Sequence, residues 1–285
     1  MMMMKPALWF AGAAVVTLAP FSPAGSQVAG KDLALDFRVS TSTEGLAEPG
    51  VLTGHIVGSG SKVRIDMSTV GGRSPTPLPT DGPVSMIVSD SGRAITYLDS
   101  KNNQYMTVRP GDMLAEAGQM GLVTMQFSDT EAKVDNLGAG PRILGHPTAR
   151  YRVGTRLTMT ISGMGEQQSV KIASTTEYYF PTDIRSAVNP FASITGSDMI
   201  GMFGATNKEF ADKMKAAEAK LPKAPPLRTS TTATITSGGT SRVTKSTTEV
   251  TSVRWVNADP KVFEIPAGYT QVEIPKMGEV QPDPR

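Results

Sequence analysis

The stretch Tyr151-Arg152-Val153-Gly154-Thr155-Arg156-Leu157-Thr158-Met159-Thr160-Ile161 decides how this chain is read. Tyr151, Val153, Thr155, Leu157, Met159 and Ile161 occupy one parity, and Arg152, Gly154, Arg156, Thr158 and Thr160 the other. Successive side chains of an extended strand point to opposite faces, so this segment is a β-strand with one dry and one wet face.

The same alternation extends outward in both directions. Leu33, Leu35, Phe37 and Val39 alternate with Ala34, Asp36 and Arg38, and Val63, Ile65 and Met67 with Lys62, Arg64 and Asp66. Further strands are expected at 51–57, 83–89, 93–99, 103–108, 122–135, 169–180, 227–237 and 240–256. Turn formers separate them: Gly58-Ser59-Gly60, Asp90-Ser91-Gly92, Lys101-Asn102-Asn103, Gly138 to Gly140 and Gly238-Gly239. Short turns between alternating strands predict antiparallel hairpins. The Pro- and Gly-rich segment 71–83 reads as a longer exposed loop, and no internal repeat stands out.

Three segments depart from period two. Residues 111–120 place Met113, Leu114, Ala117 and Met120 at helical spacing. Residues 189–203 begin with Asn189 as a cap and Pro190 in the first turn, and carry Phe191, Ile194, Met199, Met202 and Phe203 as an apolar stripe. In the third, Thr206 and Glu209 form a capping box, Phe210, Met214, Ala217 and Leu221 share a face, and Pro222 ends the helix. A sheet with one apolar face must cover it, and these helices are the expected cover.

The N-terminus carries an export signal: Lys5, an apolar run from Ala7 to Phe21, then small residues up to Ser26. That run is shorter than the ~20 residues a membrane-spanning helix needs, so cleavage between Ser26 and Gln27 and release into the periplasm of a bacterial-type envelope are expected. Removing Lys5 leaves 27 basic against 26 acidic residues, and the basic ones are scattered singly. Nucleic acid is therefore not an expected partner. With no cysteine, the chain has no disulfides and no site for N-terminal lipidation on Cys, so packing alone must hold it.

Several motifs, taken in order, resemble a known family. Gly54 through Asp66, with SKVRID, is followed by IVSDSGRAITYLDSKNNQYMTV at 87–108, ILGHPTARYRV from Ile143, TTEYYFPTDI from Thr175 and VFEIPAGYTQV from Val262. This succession resembles the consecutive hairpins and closing segment of the LolA/LolB-like superfamily of outer-membrane lipoprotein carriers, in an uncharacterised periplasmic branch, over residues 31–273. The resemblance implies a mainly β fold with α: a single antiparallel sheet curved into an unclosed half-barrel, covered on its concave face by two or three helices. The domain would run 27–285, after a signal peptide at 1–26, with a helical lid insertion at 189–221. It also implies a hydrophobic cavity for a lipid or the acyl chain of a lipoprotein, with Arg64 matching the arginine that latches the lid.

The expected cavity lining is Leu35, Phe37, Val63, Ile65, Tyr151, Leu157 and Met159 from strands and Phe191, Met199, Met202 and Phe203 from the lid. Twelve methionines lie beyond the signal, and pliable thioethers suit flexible ligands as well as irregular cores. Catalysis is not expected. Two histidines, His55 and His146, and no cysteine leave little for a metal site or a nucleophile–base pair, and no cofactor is implied. Ser59 and Lys62 match a Ser-x-x-Lys spacing but sit in a hairpin turn. Two alternatives stand beside a lipid or acylated-protein carrier: an envelope sensor acting through a protein partner, and a transmembrane barrel. The barrel is disfavoured by the interior helices and an aromatic content of only 6%, so the protein is not expected to be integral to the membrane.

Overall fold

The computed structural model describes residues 32–45, 50–70, 83–90, 94–109, 112, 124–163, 166–184 and 208–272. Alternating segments fold into β1 (Asp32–Thr43), β2 (Gly50–Ser59), β3 (Lys62–Val70), β4 (Val84–Ser89), β5 (Ala94–Asp99) and β6 (Gln104–Val108). A second run follows as β7 (Thr124–Ile143), β8 (His146–Gly163), β9 (Glu166–Pro181), helix α1 (Lys208–Glu218), β10 (Arg228–Ser237) and β11 (Thr240–Val256). A 3-10 turn (Pro260–Phe263) and the short β12 (Thr270–Gln271) close the described chain.

All twelve strands form one sheet in the order β12-β6-β5-β4-β3-β2-β1-β11-β10-β9-β8-β7. It consists of two meanders, β1–β6 and β7–β11, joined where β1 pairs antiparallel with β11. Local turn chemistry sets the hairpins. At Gly238-Gly239 both φ values are positive, 55° and 79°, the geometry of a two-residue turn whose twist matches its strands. The seam between meanders has no such local cause; it is held by twelve residues of β1 in register with β11, with one bulge between Asp36 and Phe37. The sheet is open, and β12 pairs parallel with β6 at one edge.

One face buries the core. Leu33, Leu35, Phe37 and Val39 of β1 meet Ile56, Val63, Ile65 and Val88 of the first meander, Val250 of β11, and Leu227. Removing each such side chain from water stabilises the fold by about 1.5–3 kcal/mol. A smaller cluster gathers Val153, Tyr178, Phe180 and Leu221.

The expected cover of two or three helices is corrected by this architecture: among the described residues there is one α-helix, α1, lying on an open twelve-stranded sheet. The segments 111–120 and 189–203, the loop at 71–82 and the export signal fall outside the described residues, except residue 112. The physical reason for the correction lies just after α1. Leu221-Pro222-Lys223-Ala224-Pro225-Pro226-Leu227 cannot continue a helix through three prolines, yet Leu221, Ala224, Pro225, Pro226 and Leu227 are buried. An irregular, proline-stiffened segment therefore does part of the covering that was assigned to helices.

Candidate functional site

Cross-strand register places seven of the expected lining residues on the same face. Leu35 pairs with Ile56, which pairs with Ile65; Val63 shares Gly58 with Leu33; Phe37 pairs with Val250. In the second meander Tyr151 pairs with Tyr178, Leu157 with Ile172 and Met159 with Val170. The two groups differ in burial. Leu35, Phe37, Val63 and Ile65 are 0–6% exposed and locked in the core, whereas Tyr151, Leu157 and Met159 are half-buried. The other four expected lining residues, Phe191, Met199, Met202 and Phe203, lie outside the described residues.

Tyr151 packs against the Val153, Tyr178 and Phe180 cluster, whereas Leu157 and Met159 belong to a strip that crosses four strands. Leu157, Ile172 and Ile235 form one row over β8, β9 and β10, and Phe127, Met159 and Val170 the next over β7, β8 and β9. Ile161 extends it along β8 and is also half-buried. Helix α1 stands at its β7 side, with the Phe210 ring stacked on Phe127 at 6.4 Å between centroids.

Between this strip and the core lies a band that was not read from the sequence. Thr176, Thr231 and Ser246 are buried and sit in one transverse row with Thr41, while Thr155, Ser174, Thr244 and Thr43 flank Ala233 in the next. The hydroxyls bond one another: Thr176 to Thr231 at 3.0 Å, Thr155 to Ser174 at 2.6 Å, Thr41 to Ser246 at 3.2 Å and Thr43 to Thr244 at 3.2 Å. Such pairing lets polar groups be buried without a desolvation loss. The signal was available as Ser/Thr at alternate positions in β9, β10 and β11, but which parity faced inward depended on register.

A carboxyl is also buried at the end of α1. Burial pushes the Glu218 carboxyl up to about 8, against a weaker opposing pull from Lys215, and its Oε1 has no hydrogen-bond partner. Burial likewise pushes the Tyr178 phenol up, and the nearby Glu218 charge adds to that.

Arg64 occupies the opposite face of the sheet. Its Nε donates to Asp66 at 3.0 Å, Nη2 to Ser85 at 3.2 Å, and Nη1 to the Val262 carbonyl at 3.1 Å, tying the 3-10 turn to β3. His55 donates through Nδ1 to Asp36 at 2.6 Å, and Arg254 adds a 2.9 Å contact to the same carboxylate. Burial opposes ionisation of Asp36, but the His55 bond and Arg254 charge together hold its carboxyl below the usual range. His146 pairs with Asp183 at 3.0 Å. Ser59 and Lys62 face each other as the last ladder pair of the β2–β3 hairpin. No group of three or more His, Cys, Asp or Glu arranged to hold a metal occurs among the described residues.

An open groove of about 570 Å³ lies between β7, β8 and α1, lined by Phe127, Ser128, Asp129, Thr130, Glu131, Arg156, Glu209 and Lys213. Most of its charges are already engaged: Glu131 with Arg156 at 3.1 Å, Lys213 with Glu209 at 2.6 Å and the Thr130 carbonyl at 2.8 Å, while Asp129 accepts from the Thr158 hydroxyl at 2.9 Å. The apolar strip, not this groove, is the surface suited to a hydrocarbon.

No protein-family profile and no curated protein sequence matches the chain. Among solved structures, a domain from Vibrio parahaemolyticus described as a candidate outer membrane lipoprotein-sorting protein aligns at a TM-score of 0.22 and 8% identity, over 83% of this chain and 91% of that one. At that level of likeness the reading of the site rests on the residues themselves.

Proposed function

We propose that this is an exported, non-enzymatic protein of the periplasm that binds a lipid, or the acyl chain of an acylated protein, against the second meander beside α1. One observation carries the reading: Phe127, Leu157, Met159, Ile161, Ile172 and Ile235 present a contiguous half-buried apolar strip across β7, β8, β9 and β10 beside α1. Burying a methylene contributes about 0.8 kcal/mol, so a few carbons of an acyl chain laid on this strip suffice for measurable affinity. The paired hydroxyls beside it supply a polar border at which a chain would end. The export signal read at residues 1–26 supports the compartment.

The test is to purify the protein from envelope extracts, identify co-purifying lipid by mass spectrometry, and titrate the delipidated protein with a fluorescent fatty acid. The expected result is bound lipid and saturable probe uptake. Absence of both removes the proposal.

A further inference from the structure

The face of the sheet opposite the apolar strip carries a transverse row in which Arg150, Tyr179, Arg228, Glu249 and Arg38 are successive cross-strand partners on β8, β9, β10, β11 and β1. The row holds three guanidinium groups against a single carboxylate. Glu249 is taken by Arg228 at 2.8 Å. Two further carboxylates lie one row away on this face, Asp36 beside Arg38, held by His55 and Arg254, and Glu177 beside Tyr179. The bond from Arg152 at 2.6 Å chiefly holds Glu177 below the usual carboxylate range, and the charge of Arg150 adds to that.

Two features distinguish this row from an ordinary solvated face. Arg228 lies over the Tyr179 ring, 5.8 Å from its centroid, and its Nε is buried without an acceptor. On the other side of Tyr179, the Arg150 Nε is also buried without an acceptor. The Arg150 stem is seated over Gly140, where an added Cβ would meet the Arg150 Cγ at 2.9 Å and the Thr148 Oγ1 at 2.5 Å. A buried donor with no acceptor forfeits its solvation without recompense, and an unsatisfied group in a folded protein calls for an explanation such as a bound ion. The Cα atoms of Arg150 and Arg228 stand two strand spacings apart, ~10 Å, which two arginine side chains can close upon one oxyanion.

We propose that Arg150 and Arg228, on either side of the Tyr179 ring, form a binding site for a phosphate monoester or diester, with Arg38 completing the positive row. Guanidinium forks match phosphate oxygens bidentately, and such charge-assisted bonds are about twice as strong as neutral ones. The site lies on the face away from the strip and does not depend on the acyl-binding proposal.

Inorganic phosphate is the first probe, titrated while the arginine Nε–Hε resonances are followed by NMR; this requires no variant. The expected result is saturable shifts at Arg150 and Arg228. The second arm measures co-sedimentation with vesicles of phosphatidylglycerol and phosphatidylcholine, against phosphatidylcholine alone. Binding to the anionic vesicles assigns the site to lipid headgroups, and phosphate shifts without vesicle binding assign it to a soluble phosphate. The R150Q/R228Q double variant, checked for an unchanged thermal midpoint, is expected to weaken whichever interaction is seen by about tenfold or more, the loss of one to two charge-assisted bonds. No shift at either arginine together with no preference for anionic vesicles, or equal binding by the double variant, overturns the proposal.

Discussion

The two meanders share one sheet and one inward parity but use that parity differently. In β1–β4 the inward residues Leu33, Leu35, Phe37, Ile56, Val63, Ile65 and Val88 close upon one another, with 0–6% exposure. In β7–β10 the same parity carries half-buried Leu157, Met159, Ile161 and Ile172, interrupted by bonded hydroxyls. Equivalent alternation in sequence therefore gives a larger closed core on one side of the β1–β11 seam, fringed by half-buried Leu52, Met67 and Met86, and on the other a smaller cluster around Phe180 beside a contiguous half-buried strip. Close packing leaves the centre of the first region little freedom to exchange contacts, whereas the strip in the second has apolar area still to bury.

The sharpest way to break this contrast is truncation in the first meander. Leu35→Ala is expected to lower unfolding free energy by about 2–5 kcal/mol, the range for large-to-Ala changes in a packed core, measured by urea denaturation. A loss no greater than that of Leu157→Ala would erase the distinction between the two regions. Next in size is Gly54→Ala. An added Cβ there collides with the Phe37 ring and meets the Asp66 carbonyl at 2.9 Å, so overpacking of about 1–3 kcal/mol is expected. Wild-type stability in this variant would show that the β1–β3 core is looser than described.

In the second meander, the paired change Leu157→Asn with Met159→Gln is expected to weaken fluorescent fatty-acid binding about tenfold, from the apolar area it removes. Its stability should fall by less than that of Leu35→Ala, and unchanged probe affinity would shift the site away from the strip.

A pH-dependent effect concerns Glu218. Burial raises its carboxyl from 4.5 in the unfolded chain to about 8 in the folded protein. The folded state thus holds the proton more tightly, and ionisation erodes stability as pH rises from about 4.5 to about 8, with no further change above. Glu218→Gln is expected to flatten that decline when thermal midpoints are compared across the window. Parallel pH profiles in the two proteins would remove the burial argument. Asp36 and Glu177, whose carboxyls are held low, act at more acidic pH and appear in both profiles.

The strands were legible because alternation is a local property: Leu33 to Val39 and Tyr151 to Ile161 announce a buried parity without reference to a partner. The β1–β11 seam was not, since it joins residues such as Leu35 and Val253 that no turn connects. The helical cover was over-read because helix signals are local, whereas burial of the irregular Leu221–Leu227 segment against the core arises only in the assembled fold. Arg64 could be placed on a strand, but its bond to the Val262 carbonyl requires knowing that the 3-10 turn docks on the other face. Tyr151, Leu157 and Met159 were recognisable as one face, while their incomplete burial was a matter of packing.

The most direct test of the central claim is photo-crosslinking with a diazirine fatty acid, followed by peptide mapping. The account predicts adducts on β7, β8 and β9, around Phe127, Met159 and Ile172, competed by unlabelled fatty acid. Adducts confined to β1–β6, or labelling that unlabelled fatty acid does not reduce, would contradict it.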